Sequence, residues 1–368
     1  RAHLGQLDGT WPQGDVSHRD WIAFAWRWAE LRARIGVVSH DLDARLALVS
    51  ELKPVQLPMD EAFDEWIRHR YALLPSLVSM GTPIMVHQIP GILEREICNG
   101  DRVALVVMDG MALDHWVTLR GLLSGHGQPM ECEENACFAC LPTLTSVSRQ
   151  AIFAGRLPSS FPDTWNTTAK ESRHWQRLGG DWGLPPVAVR YAHLRLRSLV
   201  EGTDPCLLVS DLDDYRTRLM AIVVPDIDEL AHAATLGMAD MQHDIRLWAA
   251  AGHWSRLIEG LLERGFTVYI TADHGSIEAE GKGQPREGVT VDQRAMRARV
   301  YEREEYLAPV LAAHPFAREW TPVGLPEGLR VLVPEQLSAF APPGEIVVAH
   351  GGLSLEEVVV PFIRLRRI

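Results

Sequence analysis

An α/β fold built on a doubly wound, mostly parallel sheet is what the sequence predicts, and three observations carry it. Short apolar runs rich in β-branched residues recur after residue 99: VALVVM (103–108), LMAIVV (219–224), TVYIT (267–271), EIVVA (345–349) and VVVPFIRL (358–365). Most lack polar–apolar alternation, as strands buried on both faces do. Helical stretches separate them, notably TSVSRQAIFAG and the long DMQHDIRLWAAAGHWSRLIEGLLERG, which ends at Gly265 and feeds almost directly into TVYIT. An acid, a hydroxyl or a histidine also stands just past several runs, at the carboxyl side where such sheets place their sites.

Composition bounds the reading. The 368 residues suffice for one large α/β domain and a smaller region. With 46% hydrophobic and 23% charged residues, disorder is not the default. A formal charge of -12 argues against holding nucleic acid on a broad positive surface. It is compatible with a phosphate-bearing substrate, because bound dications reverse the field around clustered acids. Five cysteines fit reduced thiols in a cytoplasm. Cys132, Cys137 and Cys140 are spaced like zinc ligands, but no fourth ligand adjoins them, so small buried or loop thiols are the better reading. No run approaches ~20 apolar residues, so no membrane span is expected. No secretory signal is visible, and the start at Arg1 rather than Met leaves room for an upstream region.

Residues 1–98 are expected to form an N-terminal helical region. HRDWIAFAWRWAELRARI places Trp21, Phe24, Ala25, Trp28 and Leu31 on one helical face, with Trp26 off that stripe. MDEAFDEWIRHRYALLPSLV opens with Asp60 as an N-cap and ends or kinks at Pro75. The tryptophan-rich stripe is read as a layer packed on the main domain rather than a binding surface. Residues 99–368 form that domain, interrupted at about 156–204 and 276–328. Both interruptions are read as caps over the carboxyl side of the sheet, the second with a charged helical stretch, VDQRAMRARVYEREEYLAPVL.

The chemistry lies at the strand ends. Asp109 follows VALVVM directly and precedes Gly110; alone it would be a turn former, and only its company makes it a ligand. Thr145 falls at the N-terminus of a predicted helix, where free amides and the dipole favour a phosphate. Thr143, Ser146 and Ser148 are rival hydroxyls. Arg149, four residues on, shares the helical face and can reach a phosphoryl oxygen, or make a surface salt bridge instead. Asp228 and His232 stand at i and i+4, a spacing suited to one metal, with Asp226 and Glu229 as spare acids. Asp273, His274 and Gly275 follow TVYIT, and His350 with two glycines follows EIVVA. Three carboxylates, three imidazoles and one hydroxyl are what two bridged divalent metals need.

Taken in order, Asp109, the PTLTS segment, DELAH, TADHG and HGGLSLEEVVVPF resemble the alkaline phosphatase superfamily, and within it PglZ-domain proteins of BREX-type phage defence. The resemblance covers roughly residues 100–368 and implies an alkaline-phosphatase-like fold. It implies one metal held by Asp228, His232 and His350, and another by Asp109, Asp273 and His274 with the Thr145 hydroxyl. In the phosphodiesterase branch the nucleophile is the second threonine of Pro-Thr-x-Thr, which PTLT matches with Thr145. The residue three positions later, an Asn there that helps hold the phosphoryl group, is Ser148 here.

The expected function is therefore metal-assisted hydrolysis of a phosphate ester through a phosphothreonine, with Arg149 and the helix amides on the equatorial oxygens. The mixed His/Asp set suits Zn²⁺ or Mn²⁺ better than Mg²⁺. A phosphodiester, nucleotide or oligonucleotide, is preferred over a monoester because Arg149 is the one evident cation beside the nucleophile. The competing reading is a metal-binding scaffold among other defence-system proteins, docking through Arg294, Arg297, Arg299 and Arg303. Interleaved Glu302, Glu304 and Glu305 make a solvated helix the plain alternative.

Overall fold

Runs apolar on both sides can only be satisfied inside a sheet covered on both faces, and that is where they lie. The computed structural model describes residues 2–35, 41–123, 130–285 and 293–368. The strands are β1 (Arg102–Met108), β2 (Met130–Phe138), β3 (Val189–His193), β4 (Leu219–Val224), β5 (Phe266–Thr271) and β6 (Ile277–Gly281). They continue as β7 (Gln293–Ala295), β8 (Ala298–Tyr301), β9 (Ala317–Trp320), β10 (Arg330–Pro334), β11 (Ser338–Ala339), β12 (Ile346–Ala349) and β13 (Val359–Arg367).

The central six-stranded sheet has the order β2-β13-β5-β1-β4-β3. Its β5, β1, β4 and β3 run parallel, and β4 and β5 are buried along their whole length. The antiparallel strand is β13, wedged between β5 and β2. The fold is mixed α/β with a mostly parallel central sheet, as predicted. EIVVA departs from expectation: as β12 it pairs with β6 in a separate three-stranded sheet. Likewise Val189–His193, inside a stretch read as a cap, is the β3 edge of the main sheet.

Helix boundaries also differ. The second N-terminal helix runs from Leu42 to Arg70, capped by Asp41, whose side chain accepts from the Asp43 N–H at 3.1 Å. Asp60 is thus buried mid-helix and caps nothing, while Pro75 sits in a 3₁₀ turn over Tyr71–Ser76. The stretch expected as one long helix is two, Met238–Ala250 and His253–Glu263, broken where Gly252 takes a left-handed conformation. VDQRAMRARVY is not helical where described: β7 and β8 form a hairpin, and a helix begins only at Glu304. Its side chains explain why, since Ala298, Val300 and Tyr301 are fully buried.

The N-terminal helices join the same core. Trp21, Phe24, Ala25 and Trp28 of helix His18–Ala33 are buried, and Trp26 is partly so. A buried polar knot anchors them to the C-terminal segment. Glu356 accepts from Trp28 Nε1 at 2.7 Å, Gln56 Nε2 at 2.9 Å and Arg32 Nη1 at 3.2 Å. Arg32 Nε also donates to Asp114 at 3.0 Å. Arg32→Ala leaves two acids buried without their cation, so unfolding free energy measured in urea should drop by about 3–5 kcal/mol.

Candidate two-metal active site

Four strand ends and one loop deliver the predicted residues to one rim. Asp109 follows β1, and its backbone joins β4 to the rim: Asp109 N–H donates to Val224 O at 3.0 Å, and Asp228 N–H donates to Asp109 O at 3.1 Å. Gly110 has φ +72, and a Cβ there would stand 3.1 Å from the Asp228 Cβ. Glycine is required by both the backbone and the approach. From the β5 end, Asp273 Oδ1 accepts from the Gly110 N–H at 3.2 Å and from the His274 N–H at 3.1 Å.

The side chains fall into two groups, Asp228–His232–His350 and Asp109–Asp273–His274, each with its candidate ligand atoms within 4.8 Å of one another. In the first, His232 Nε2 lies 3.2 Å and His350 Nε2 3.8 Å from Asp228 oxygens. In the second, His274 Nε2 lies 3.7 Å from both Asp109 and Asp273. The groups touch through the stacked rings of His274 and His350, 3.8 Å between centroids.

Hydrogen bonds fix both tautomers. His274 Nδ1 faces Gly275 O at 3.0 Å and His350 Nδ1 faces Thr143 O at 2.8 Å, and a carbonyl only accepts. Each Nδ1 therefore carries the proton, and each Nε2 presents a lone pair inward, as metal-ligating histidines do. Thr145 begins the helix Thr145–Ala154, and its hydroxyl donates to His274 Nε2 at 3.0 Å.

Whether these residues fit divalent ions can be tested on the carboxylates. Asp109 Oδ1, Asp228 Oδ1 and Asp273 Oδ2 are buried and accept no hydrogen bond, an expensive state that a cation relieves. Burial, then the neighbouring Asp109 charge, pushes the Asp273 carboxyl well above the usual carboxylate range. Burial also opposes ionisation of Asp228, but the His232 hydrogen bond and the His350 and His274 charges outweigh it and hold the group well below that range. Burial beside His274 lowers His350 to about 4, whereas the hydrogen bond to Asp228 raises His232. Carboxylate oxygens that no donor reaches, beside a His350 ring that burial keeps neutral, are a donor set for Zn²⁺-like ions.

Other predicted residues stand elsewhere. Arg149 is buried between two acids: Nη1 bonds Asp109 and Nε bonds Glu171 at 2.8 Å, so its charge serves the Asp109 carboxylate. Ser148 is fully buried; its hydroxyl accepts from Cys140 N–H at 3.0 Å and donates to Cys140 O at 3.2 Å, so it is engaged by backbone. The rival Thr143 is likewise occupied, bonding Gly352 O and the Gly351 N–H, both at 2.9 Å. Asp226 accepts from Leu196 N–H, Arg197 N–H and Trp248 Nε1, which removes it as a ligand. Glu229 pairs with Arg195 and Arg197. No cation-holding cluster involves the cysteines among the described residues.

Glu171 escaped the sequence reading. It stands on the buried face of its helix with Trp175 and Leu178, and an acid on an apolar stripe was the available signal. Thr145, Ser146, Asp228, His232 and His350 line a cavity of about 660 Å³. Both interruptions reach it, Asn166–Thr168 from the first and Gln284, Met296 and Arg299 from the second.

Residues 92–365 match the family model described as the BREX system PglZ alkaline phosphatase-like domain. The chain belongs to the PglZ family. Solved structures similar to this PglZ domain include murine ectonucleotide pyrophosphatase/phosphodiesterase 5, both as an inactive form in complex with AMP and without it. Each is 11% identical over 72% of this chain and 88% of that one, with TM-scores of 0.47 and 0.48. The human protein of that name is 10% identical over the same shares, with a TM-score of 0.46. No curated protein sequence matches the chain. No helix among the described residues is long and apolar enough to cross a membrane.

Ion loading follows from the titration directions. A metal displaces protons from His232, whose pKa is raised above 6.5. Zinc affinity of the Asp228–His232–His350 group, measured by calorimetry, should therefore fall as pH drops through the raised His232 pKa, a loss that sets in above pH 6.5. His350, neutral down to about 4, adds its own loss only in stronger acid.

Proposed function

We propose that this PglZ domain is a metal-dependent phosphoester hydrolase, acting on phosphodiesters through a phosphothreonine at Thr145. One observation carries the reading: the Thr145 hydroxyl sits 3.0 Å from an imidazole of one candidate ligand group, on the wall of a cavity also lined by the other. Asp228, His232 and His350 would hold one ion, and Asp109, Asp273 and His274 the second. Zn²⁺ or Mn²⁺ suits this mixed nitrogen and oxygen set. Bound there, such ions supply Lewis acidity, lowering the pKa of a hydroxyl or water and neutralising phosphoryl charge.

The chain's residues do the rest. Thr145 Oγ attacks phosphorus, forming the Oγ–P bond while the bond to the leaving alcohol's oxygen breaks. Water then attacks the phosphothreonine, restoring the hydroxyl and releasing a phosphate monoester. His274 is held by Gly275 with Nε2 3.0 Å from the Thr145 hydroxyl; with an ion on that nitrogen's lone pair the hydroxyl would no longer donate to it and would be free to lose its proton to water as Oγ attacks. At the start of helix Thr145–Ala154 the Val147 and Ser148 amides already donate to Leu144 O, which leaves the Thr145 and Ser146 amides to take the equatorial oxygens. Arg149 acts through Asp109, since it is paired with both Asp109 and Glu171.

Diesters are favoured because the cavity offers little side-chain cation. Arg299 is its one Lys or Arg among the described lining residues; it is 4% exposed, stacked on Phe340 and bonded to Ala298 O. A singly charged diester needs less positive charge than a dianionic monoester, and the volume admits a nucleoside-sized substituent, as in a nucleotide or oligonucleotide ester. The family's BREX description supports work beside other defence proteins in a bacterial cytoplasm. The arginine docking face loses its support. Arg297 and Arg299 are buried, and the Arg294 side chain lies outside the described residues.

With Mn²⁺ or Zn²⁺ supplied, an aryl phosphodiester should turn over faster than the matching monoester, and EDTA should abolish both. Thr145→Ala should reduce turnover by at least about 10³-fold and prevent trapping of labelled phosphothreonine. Full activity in that variant would refute the covalent route.

A further inference from the structure

The loop after His350 is moulded by a buried ion pair. Arg297, 1% exposed, lies in the turn of the β7–β8 hairpin, and its Nε donates to Glu357 Oε1 at 3.0 Å. Glu357 is fully buried and bonds the ligand loop directly. Its Oε1 accepts from the Gly352 N–H at 2.8 Å, and its Oε2 accepts from Ser354 N–H at 3.1 Å and Ser354 Oγ at 2.7 Å. On the other side, Thr143 O holds the His350 ring and Thr143 Oγ1 holds the Gly351 N–H. Two glycines are needed between these clamps. Gly351 has φ +118 with Ala298 N only 2.9 Å from where a Cβ would sit, and a Cβ at Gly352 would stand 2.7 Å from Arg297 Nη2. Met296, one residue before Arg297, lines the substrate cavity. The same hairpin turn thus presents one side chain to the cavity and the next to the ligand loop.

We propose that Arg297 and Glu357 are positioning residues that fix His350 for its ion. This inference rests on the two-ion reading above. Three hydrogen bonds from the loop converge on one carboxylate, and without the guanidinium that carboxylate is a buried, uncompensated anion. Removing either partner lets the loop, and His350 with it, drift from the Asp228–His232 geometry. Among the described residues the direct hydrogen bond between Glu357 and the segment of the Asp109–Asp273–His274 group is a backbone one, the Gly275 N–H to Glu357 O at 3.0 Å, which side-chain changes leave in place; the other tie is the stacking of His274 on His350, while both acids of that group are held from β1 and β5.

The test is site-resolved metal binding. An Asp273→Asn background isolates the His350 group, and a His232→Ala background isolates the other. Zinc titrations of Glu357→Gln and Arg297→Met in the first should show affinity reduced roughly ten- to hundredfold. In the second the loss should stay under about twofold. The visible spectrum of Co²⁺ at the His350 group should change shape with Glu357→Gln, and Arg297→Lys should recover part of the loss. Ser354→Ala, which removes one bond without stranding a charge, should weaken the same group alone and covers the case in which the charge variants do not fold. Equal losses at both groups, or no loss at the His350 group, overturn the inference. Wild-type protein binding two ions but hydrolysing no ester refutes the proposed activity and leaves the positioning intact. Wild type binding no ion at the His350 group overturns both.

Discussion

Three carboxylates share one buried rim, and the rest of the site exists to make that tolerable. Asp109, Asp228 and Asp273 each keep one oxygen that no donor reaches. Like charges this close, removed from water, cannot all stay ionised without cations among them. The chain supplies a single buried arginine, Arg149, to Asp109, and three imidazoles to the remainder. That deficit of positive charge makes divalent ions the natural completion of the fold. It also accounts for the place of Arg149: the guanidinium compensates the Asp109 carboxylate, with Glu171 and Tyr191 bracing it from behind.

The architecture meets this demand by separating supports from ligands. Backbone contacts between Asp109 and Asp228, and between Gly110 and Asp273, set the spacing of the acids from the parallel strands themselves. His274 and His350 arrive on less regular segments and need tethers, Gly275 for His274 and Thr143 for His350, whereas Asp228 and His232 share the helix Asp226–Ala233.

The strand ends were legible because buried parallel strands announce themselves as unbroken apolar runs, and the residue after each run is placed by the sheet alone. Their strands placed Asp109 and Asp273, though only the company of the other segments made Asp109 a candidate ligand. His232 followed from the helical i,i+4 rule applied to Asp228. What was not legible depends on tertiary partners. Nothing local in SVSRQ says that Arg149 turns inward to two acids or that Ser148 bonds Cys140. Nor does VDQRAMRARV, rich in arginine, show that Arg297 and Arg299 are buried in a hairpin, because Glu357, which pairs with the first, and Phe340, under the second, lie tens of residues away. The helix through Pro54 and Pro58 ran against local propensity, and packing of Val55, Met59 and Phe63 on the core overrode it.

The position of β13 has a kinetic consequence. It pairs with β2 from Val359 opposite Phe138 to Arg367 opposite Met130, and β2 reaches the rest of the sheet only through it. The Ala139 N–H closes onto Val358 O at 2.7 Å, just where one segment departs towards Thr145 and the other arrives from His350. The parallel centre of β1, β4 and β5 can assemble before this junction, whose partners are more than two hundred residues apart in the chain. Such distant closures are slow. The closure that joins β13 to β2 is also the one that brings the segments carrying Thr145 and His350 together at the rim.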